Sequence, residues 1–148
     1  KSKTFILKNS FMTTKSSGFS LIELLVVVAI LGIISAIGVV SYSGYVSGAK
    51  RKSAENVMQQ ISLGQTEYYS DMGIYYLNSS GTSCTPSATT STQIETNLLG
   101  GSDNINDEMG YQLCIANHSS NYLINANEIG GGCEIEMTAL GVITRRNC

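Results

Sequence analysis

From Phe19 to Val40 the chain reads FSLIELLVVVAILGIISAIGVV, 22 positions that hold a single charge, Glu23. A run of that length meets the roughly 20 residues a helix needs to cross a bilayer. A helix is also the open-ended backbone that satisfies its own polar groups there. Beyond the run the pattern becomes amphipathic. Ala54, Val57, Met58, Ile61, Tyr68 and Met72 recur at helical spacing, while Lys50, Arg51, Lys52, Glu55, Gln59 and Glu67 occupy other faces. Together the two stretches predict one helix from about Phe19 to about Met72. From Asn78 to Asp107 the period is lost and the composition turns to Ser, Thr, Gly and Asn, which predicts a long connecting loop. Tyr111–Ala116, Tyr122–Glu128, Cys133–Met137 and Val142–Arg145 then predict four short strands, separated by NHSSN, GGG and TALG. The expected fold class is α+β: a long N-terminal helix, transmembrane in its first half, packed by its second half on a four-stranded antiparallel sheet.

Charge orients the span. Residues 1–18 carry Lys1, Lys3, Lys8 and Lys15 and no acid, whereas residues 19–148 hold five basic residues against all eleven acids. Lysines upstream favour a cytoplasmic N-terminus and export of the C-terminal body. The acidic balance of that body argues against general nucleic-acid binding. A removed secretory signal has a shorter apolar core followed by a small-residue cleavage site. Here Ser35-Ala36-Ile37 lies inside the run, so a membrane anchor is the better reading. Glu23 is awkward for a plain anchor: either it reaches the interface, or it awaits a positive partner.

Cys84, Cys114, Cys133 and Cys148 all follow the span, which points to an oxidising compartment and two disulfides. Three pairings are open. A turn near Thr138–Gly141 would bring Cys133 to Cys148, leaving Cys84 to join Cys114. Asp103, Asn104, Asn106, Asp107 and Glu108 form an oxygen-rich turn, and Asp103, Asp107 and Glu108 are the candidates for a calcium ion. Their spacing is not that of an EF-hand loop, and a solvated acidic turn is the favoured reading. His118 has no recognisable nucleophile–acid constellation around it. Asn78 and Asn117 fit the glycosylation acceptor pattern, and Arg145 and Arg146 read as a solvated strand edge. No pattern calls for a cofactor, and none suggests an enzyme.

The segment KSSG-FSLIELLVVVAILGIISAIGVVSYSGY resembles the N-terminal region of type IV prepilins and pseudopilins. Gly18, Phe19 and Glu23 match the family's pattern position for position, over about the first third of the chain. The resemblance implies cleavage between Gly18 and Phe19 by a membrane prepilin peptidase and methylation of the new Phe19 amine. It also implies that Glu23 pairs with the N-terminal amine of a neighbouring subunit during assembly. Met12 then begins a seven-residue leader, MTTKSSG, with residues 1–11 upstream of it. The divisions are 1–18 leader, 19–40 transmembrane and filament-core helix, 41–77 amphipathic half, 78–108 αβ-loop and 109–148 sheet domain. Many relatives carry proline where Val40 stands, and here Gly32, Gly38, Gly44 and Gly48 punctuate the helix instead.

The implied function is structural: a type IV pilus subunit that polymerises into a surface filament serving adhesion, motility or DNA uptake. The alternative within the family is a pseudopilin of a type II secretion or competence system, and outside it a membrane-anchored enzyme or binding module. Implied partners are other pilin subunits, the prepilin peptidase, the inner-membrane assembly platform and, before assembly, membrane lipid. The subunit would begin as a single-pass inner-membrane protein and end in an extracellular filament.

Overall fold

The computed structural model describes residues 18–148. The expectations for the leader up to residue 17 and for a start at Met12 lie outside the described residues. Two compact units divide the chain, the first ending at Ser41 and the second running Tyr42–Cys148. Helix α1 (Leu21–Met72, 52 residues) contributes to both.

In the first unit α1 is bare. Its large apolar side chains range from 49% exposed at Val27 to 79% at Leu21. An unbroken apolar surface of this kind demands lipid or other helices around it. Its polar groups turn inward on the helix itself, as where the Ser35 hydroxyl donates to the Leu31 carbonyl at 2.7 Å.

In the second unit the amphipathic part of α1 buries Ala54, Val57, Met58 and Ile61, the stripe its spacing predicts. Gly73, at φ +71°, ends the helix, its N–H donating to the Tyr69 carbonyl at 2.9 Å. Strands β1 (Tyr111–His118), β2 (Asn121–Glu128), β3 (Glu134–Thr138) and β4 (Ile143–Arg146) form an antiparallel meander in that order. On β2 the inward Tyr122, Ile124 and Ala126 alternate with half-buried Leu123, Asn125 and Asn127, the period of a sheet with one face in the core. The Tyr122 hydroxyl lies 2.8 Å from the Ser62 hydroxyl of α1, and the Tyr75 ring meets the Tyr122 ring edge-on at 5.0 Å.

The segment expected to be loop contains a second helix, α2 (Ala88–Leu98). Ser87 caps it: the Ser87 hydroxyl accepts from the Thr90 N–H at 3.2 Å, and the Thr90 hydroxyl accepts from the Ser87 N–H at 2.9 Å. Ser91, Ile94, Glu95 and Leu98 are buried, spaced as one face of a helix. Four threonines in ATTSTQIETNL obscure this pattern, because β-branched residues lower intrinsic helix propensity. Tertiary hydrogen bonds compensate. Thr90 Oγ1 donates to the Leu113 carbonyl at 2.7 Å, and the Ser91 hydroxyl accepts from the Leu113 N–H at 3.0 Å. The outer edge of β1 is thereby covered by α2.

Candidate functional site

The segment matching the expected processing signal begins outside regular structure. Gly18, Phe19 and Ser20 precede α1, and Phe19 is 86% exposed. Nothing lies within 4 Å of where a Gly18 side chain would begin, so the fold itself does not require glycine there. Glu23 stands in the first turn of α1. Its Oε2 accepts a hydrogen bond from the Ser20 backbone N–H at 2.8 Å. Ser20 thus occupies the N-cap position and Glu23 the third helical position, where a carboxylate satisfies an orphan amide and complements the positive end of the helix dipole. The sequence signal for this contact is Ser-x-x-Glu in Ser20-Leu21-Ile22-Glu23, which hydropathy alone does not reveal.

The other candidate residues fall in the second unit. Asp103 and Glu108 line a cleft of about 440 Å³ together with Lys50, Ser53 and Asn106. The structure does not assemble Asp103, Asp107 and Glu108 into a calcium site: among the described residues no group of three or more His, Cys, Asp or Glu side chains could hold a metal ion. The Asn106 amide oxygen accepts from the Met109 N–H at 3.0 Å and so serves its own turn. His118 ends β1 at an exposed hairpin tip. The Asn78 side chain is committed to the fold, accepting from the Ile115 N–H at 2.9 Å and donating to Gln93 Oε1 at 3.0 Å. Cys84 is bonded to Cys114 and Cys133 to Cys148, and the first bridge fixes the chain before α2 to β1.

Arg145 and Arg146 are not a simple solvated edge. Arg145 Nε donates to Glu55 Oε1 at 2.6 Å, Lys52 Nζ donates to Glu55 Oε2 at 2.9 Å, and Arg146 meets Glu136 at 2.6 Å. Glu55 is buried on α1, so β4 is tied to the helix by a carboxylate that sequence spacing places on a polar face. The Arg145 hydrogen bond, aided by Lys52, holds the Glu55 carboxyl below its ordinary pKa against the opposing effect of burial, and Glu55 in turn raises that of Arg145. Gln65 is a second buried polar side chain missed at the sequence level. Its amide donates to the Tyr76 carbonyl at 2.8 Å and accepts from the Tyr76 N–H at 2.9 Å, closing the turn after α1.

Of these places, only the N-terminal segment combines an exposed scissile candidate, a lone carboxylate and a bare apolar helix. The family model for the prokaryotic N-terminal methylation motif matches residues 13–39. Residues 13–39 carry that motif. Gly18, Phe19, Ser20 and Glu23 all lie within the methylation motif, and its apolar run is the exposed part of α1. The motif supports a type IV pilin-like or pseudopilin protein, and the long helix with its four-stranded antiparallel sheet matches the pilin fold. It points to a structural subunit and implies assembly with other pilin subunits and processing by prepilin peptidase. Motif and helix together fit membrane anchoring before assembly. No curated protein and no solved structure matches the chain.

Proposed function

We propose that this protein is a building block of a type IV pilus, cut between Gly18 and Phe19, methylated on the new Phe19 amine and polymerised into a helical surface filament. The observation that carries this reading is one carboxylate, Glu23, at the head of an apolar helix with no basic partner among the described residues. In a bundle of such helices Glu23 receives the Phe19 amine of a neighbour, because two charges in an apolar setting are tolerated only as a pair. The helix is first solvated by lipid, and the inner-membrane assembly platform then transfers it to the company of other helices. Two disulfides favour a pilus over the pseudopilus of a type II secretion or competence system.

Mass spectrometry of the mature chain tests the processing step and should find N-methyl-phenylalanine from Phe19 at its N-terminus; an intact leader in the producing cell would overturn the reading. Electron microscopy of sheared cells should show filaments made of this chain, and filaments that never leave the envelope would favour the pseudopilus. Glu23→Ala should leave membrane insertion intact and abolish filaments.

A further inference from the structure

The hydrogen bond between the Ser20 N–H and Glu23 Oε2 gives Glu23 a task before any neighbour arrives. We infer that Glu23 is the N-cap acceptor of its own helix in the unassembled chain, ending α1 at Leu21 and holding Gly18–Ser20 off the helix. The geometry is the glutamate half of a capping box, with Ser20 at the cap and Glu23 three residues later, at 2.8 Å. An N-cap amide has no acceptor within its helix. Near a bilayer, where water is scarce, an amide left without one is costly. Glu23 supplies that acceptor, and the positive end of the helix dipole favours its charge. The same carboxylate that is awkward in an apolar run is therefore stabilised locally by the helix that carries it.

The cap uses one oxygen. Among the described residues Glu23 Oε1 accepts no hydrogen bond, so it stays open for the amine of a neighbouring chain. Capping and assembly thus use different oxygens of one side chain and differ in what they require. The cap needs an acceptor atom, which glutamine also supplies, whereas pairing with an ammonium needs the negative charge. The second half of this separation rests on the pilin reading; the cap itself does not.

Amide hydrogen exchange, read by NMR on the full chain in lipid nanodiscs, tests the inference with three proteins: the natural chain, Glu23→Ala and Glu23→Gln. Loss of one hydrogen bond should speed exchange of the Ser20 amide roughly 2- to 10-fold in Glu23→Ala, with amides of the sheet as an internal reference for intact folding. Glu23→Gln should stay within about twofold of the natural chain at Ser20 while forming no filaments in the cell, since the acceptor is kept and the charge is lost. If Ser20 exchanges equally in the natural and alanine chains, or if glutamine behaves like alanine, Glu23 is not the cap. An unmethylated Phe19 would overturn the proposed function and leave the cap result standing.

Discussion

Gly64 of α1 lies against Leu98, the last residue of α2, and replacing it tests that contact directly. A β-carbon at Gly64 would stand 2.5 Å from the Leu98 carbonyl oxygen and 3.2 Å from the Leu98 β-carbon. A carbon–oxygen contact needs about 3.3 Å, so one backbone must give by about 0.8 Å. The obstacle is a backbone carbonyl and cannot rotate away. Moving it displaces α2, which Thr90 and Ser91 hold to Leu113. Such overpacking costs about 1–3 kcal/mol, while alanine in place of glycine in a helix interior returns about 0.5–1 kcal/mol.

Gly48 supplies the control, because it sits on the same helix with nothing within 4 Å of its missing side chain. Gly48→Ala should therefore stabilise by about 0.5–1 kcal/mol, and Gly64→Ala, the clash less that gain, should destabilise by up to about 2.5 kcal/mol. Helix propensity cancels between the two variants, so their difference isolates the α1–α2 clash at about 1–3 kcal/mol. Urea unfolding of the full chain in detergent micelles can be followed by near-ultraviolet circular dichroism of its eight tyrosines. A Gly64→Ala midpoint equal to or above that of Gly48→Ala would refute the close approach of α2 to α1.

Glu55→Gln should cost about 1–2 kcal/mol at pH 7, because one charge-assisted bond to Arg145 is weakened while solvent screens part of the loss at the half-exposed arginine. The Glu55 carboxyl has a lowered folded pKa, so its contribution is fully present above the pKa of an unfolded glutamate and fades as pH falls through the folded one. The natural chain should therefore lose stability in that acid range more steeply than Glu55→Gln, and parallel pH profiles in urea unfolding would contradict the assignment. At the β1–β2 turn, Ser119 and Ser120 adopt φ of 49° and 66°, left-handed values that a two-residue hairpin normally gives to Asn-Gly. Changing Ser119 to Asn together with Ser120 to Gly should stabilise by about 1 kcal/mol and raise Tm by about 4 °C; a lower Tm in differential scanning calorimetry would show that this turn is not strained.

The sequence made the long helix and the meander legible because both have strong periods. Ala54, Val57, Met58 and Ile61 mark one face of a helix, and Tyr122, Ile124 and Ala126 one face of a sheet. What escaped depends on tertiary partners. Helix α2 is rich in threonine, a weak local helix former, and beyond its local Ser87–Thr90 cap it is secured by Thr90 and Ser91 bonding the Leu113 backbone, which only the fold brings near. Glu55 looked like a surface residue until β4 delivered Arg145 from 90 positions away. The oxygen-rich turn at Asp103–Glu108 reads as a solvated turn with a weaker calcium alternative, and among the described residues no group of three or more His, Cys, Asp or Glu side chains could hold a metal ion. At Glu23 the needed signal was local and present, but a Ser-x-x-Glu cap is easy to overlook at the threshold of a membrane span.

The two units also treat their unsatisfied surfaces in opposite ways, which bears on how such a chain could polymerise. The sheet could in principle recruit other chains through its edges. One edge is closed: Ile115 exchanges hydrogen bonds with Asn78, the Asn117 N–H donates to the Gly81 carbonyl, and Leu113 bonds to Thr90 and Ser91. The other is β4, only four residues long, carrying two arginines and followed at once by the Cys133–Cys148 bridge. Shortness and charge are the ordinary defences of an edge strand. The helix up to Ser41 has no such defence, since its apolar side chains are bare and its one acid is capped through a single oxygen. A subunit whose sheet resists strand addition while its helix requires apolar company is directed toward helix-mediated assembly, and under the proposed reading that is where the filament's cohesion comes from.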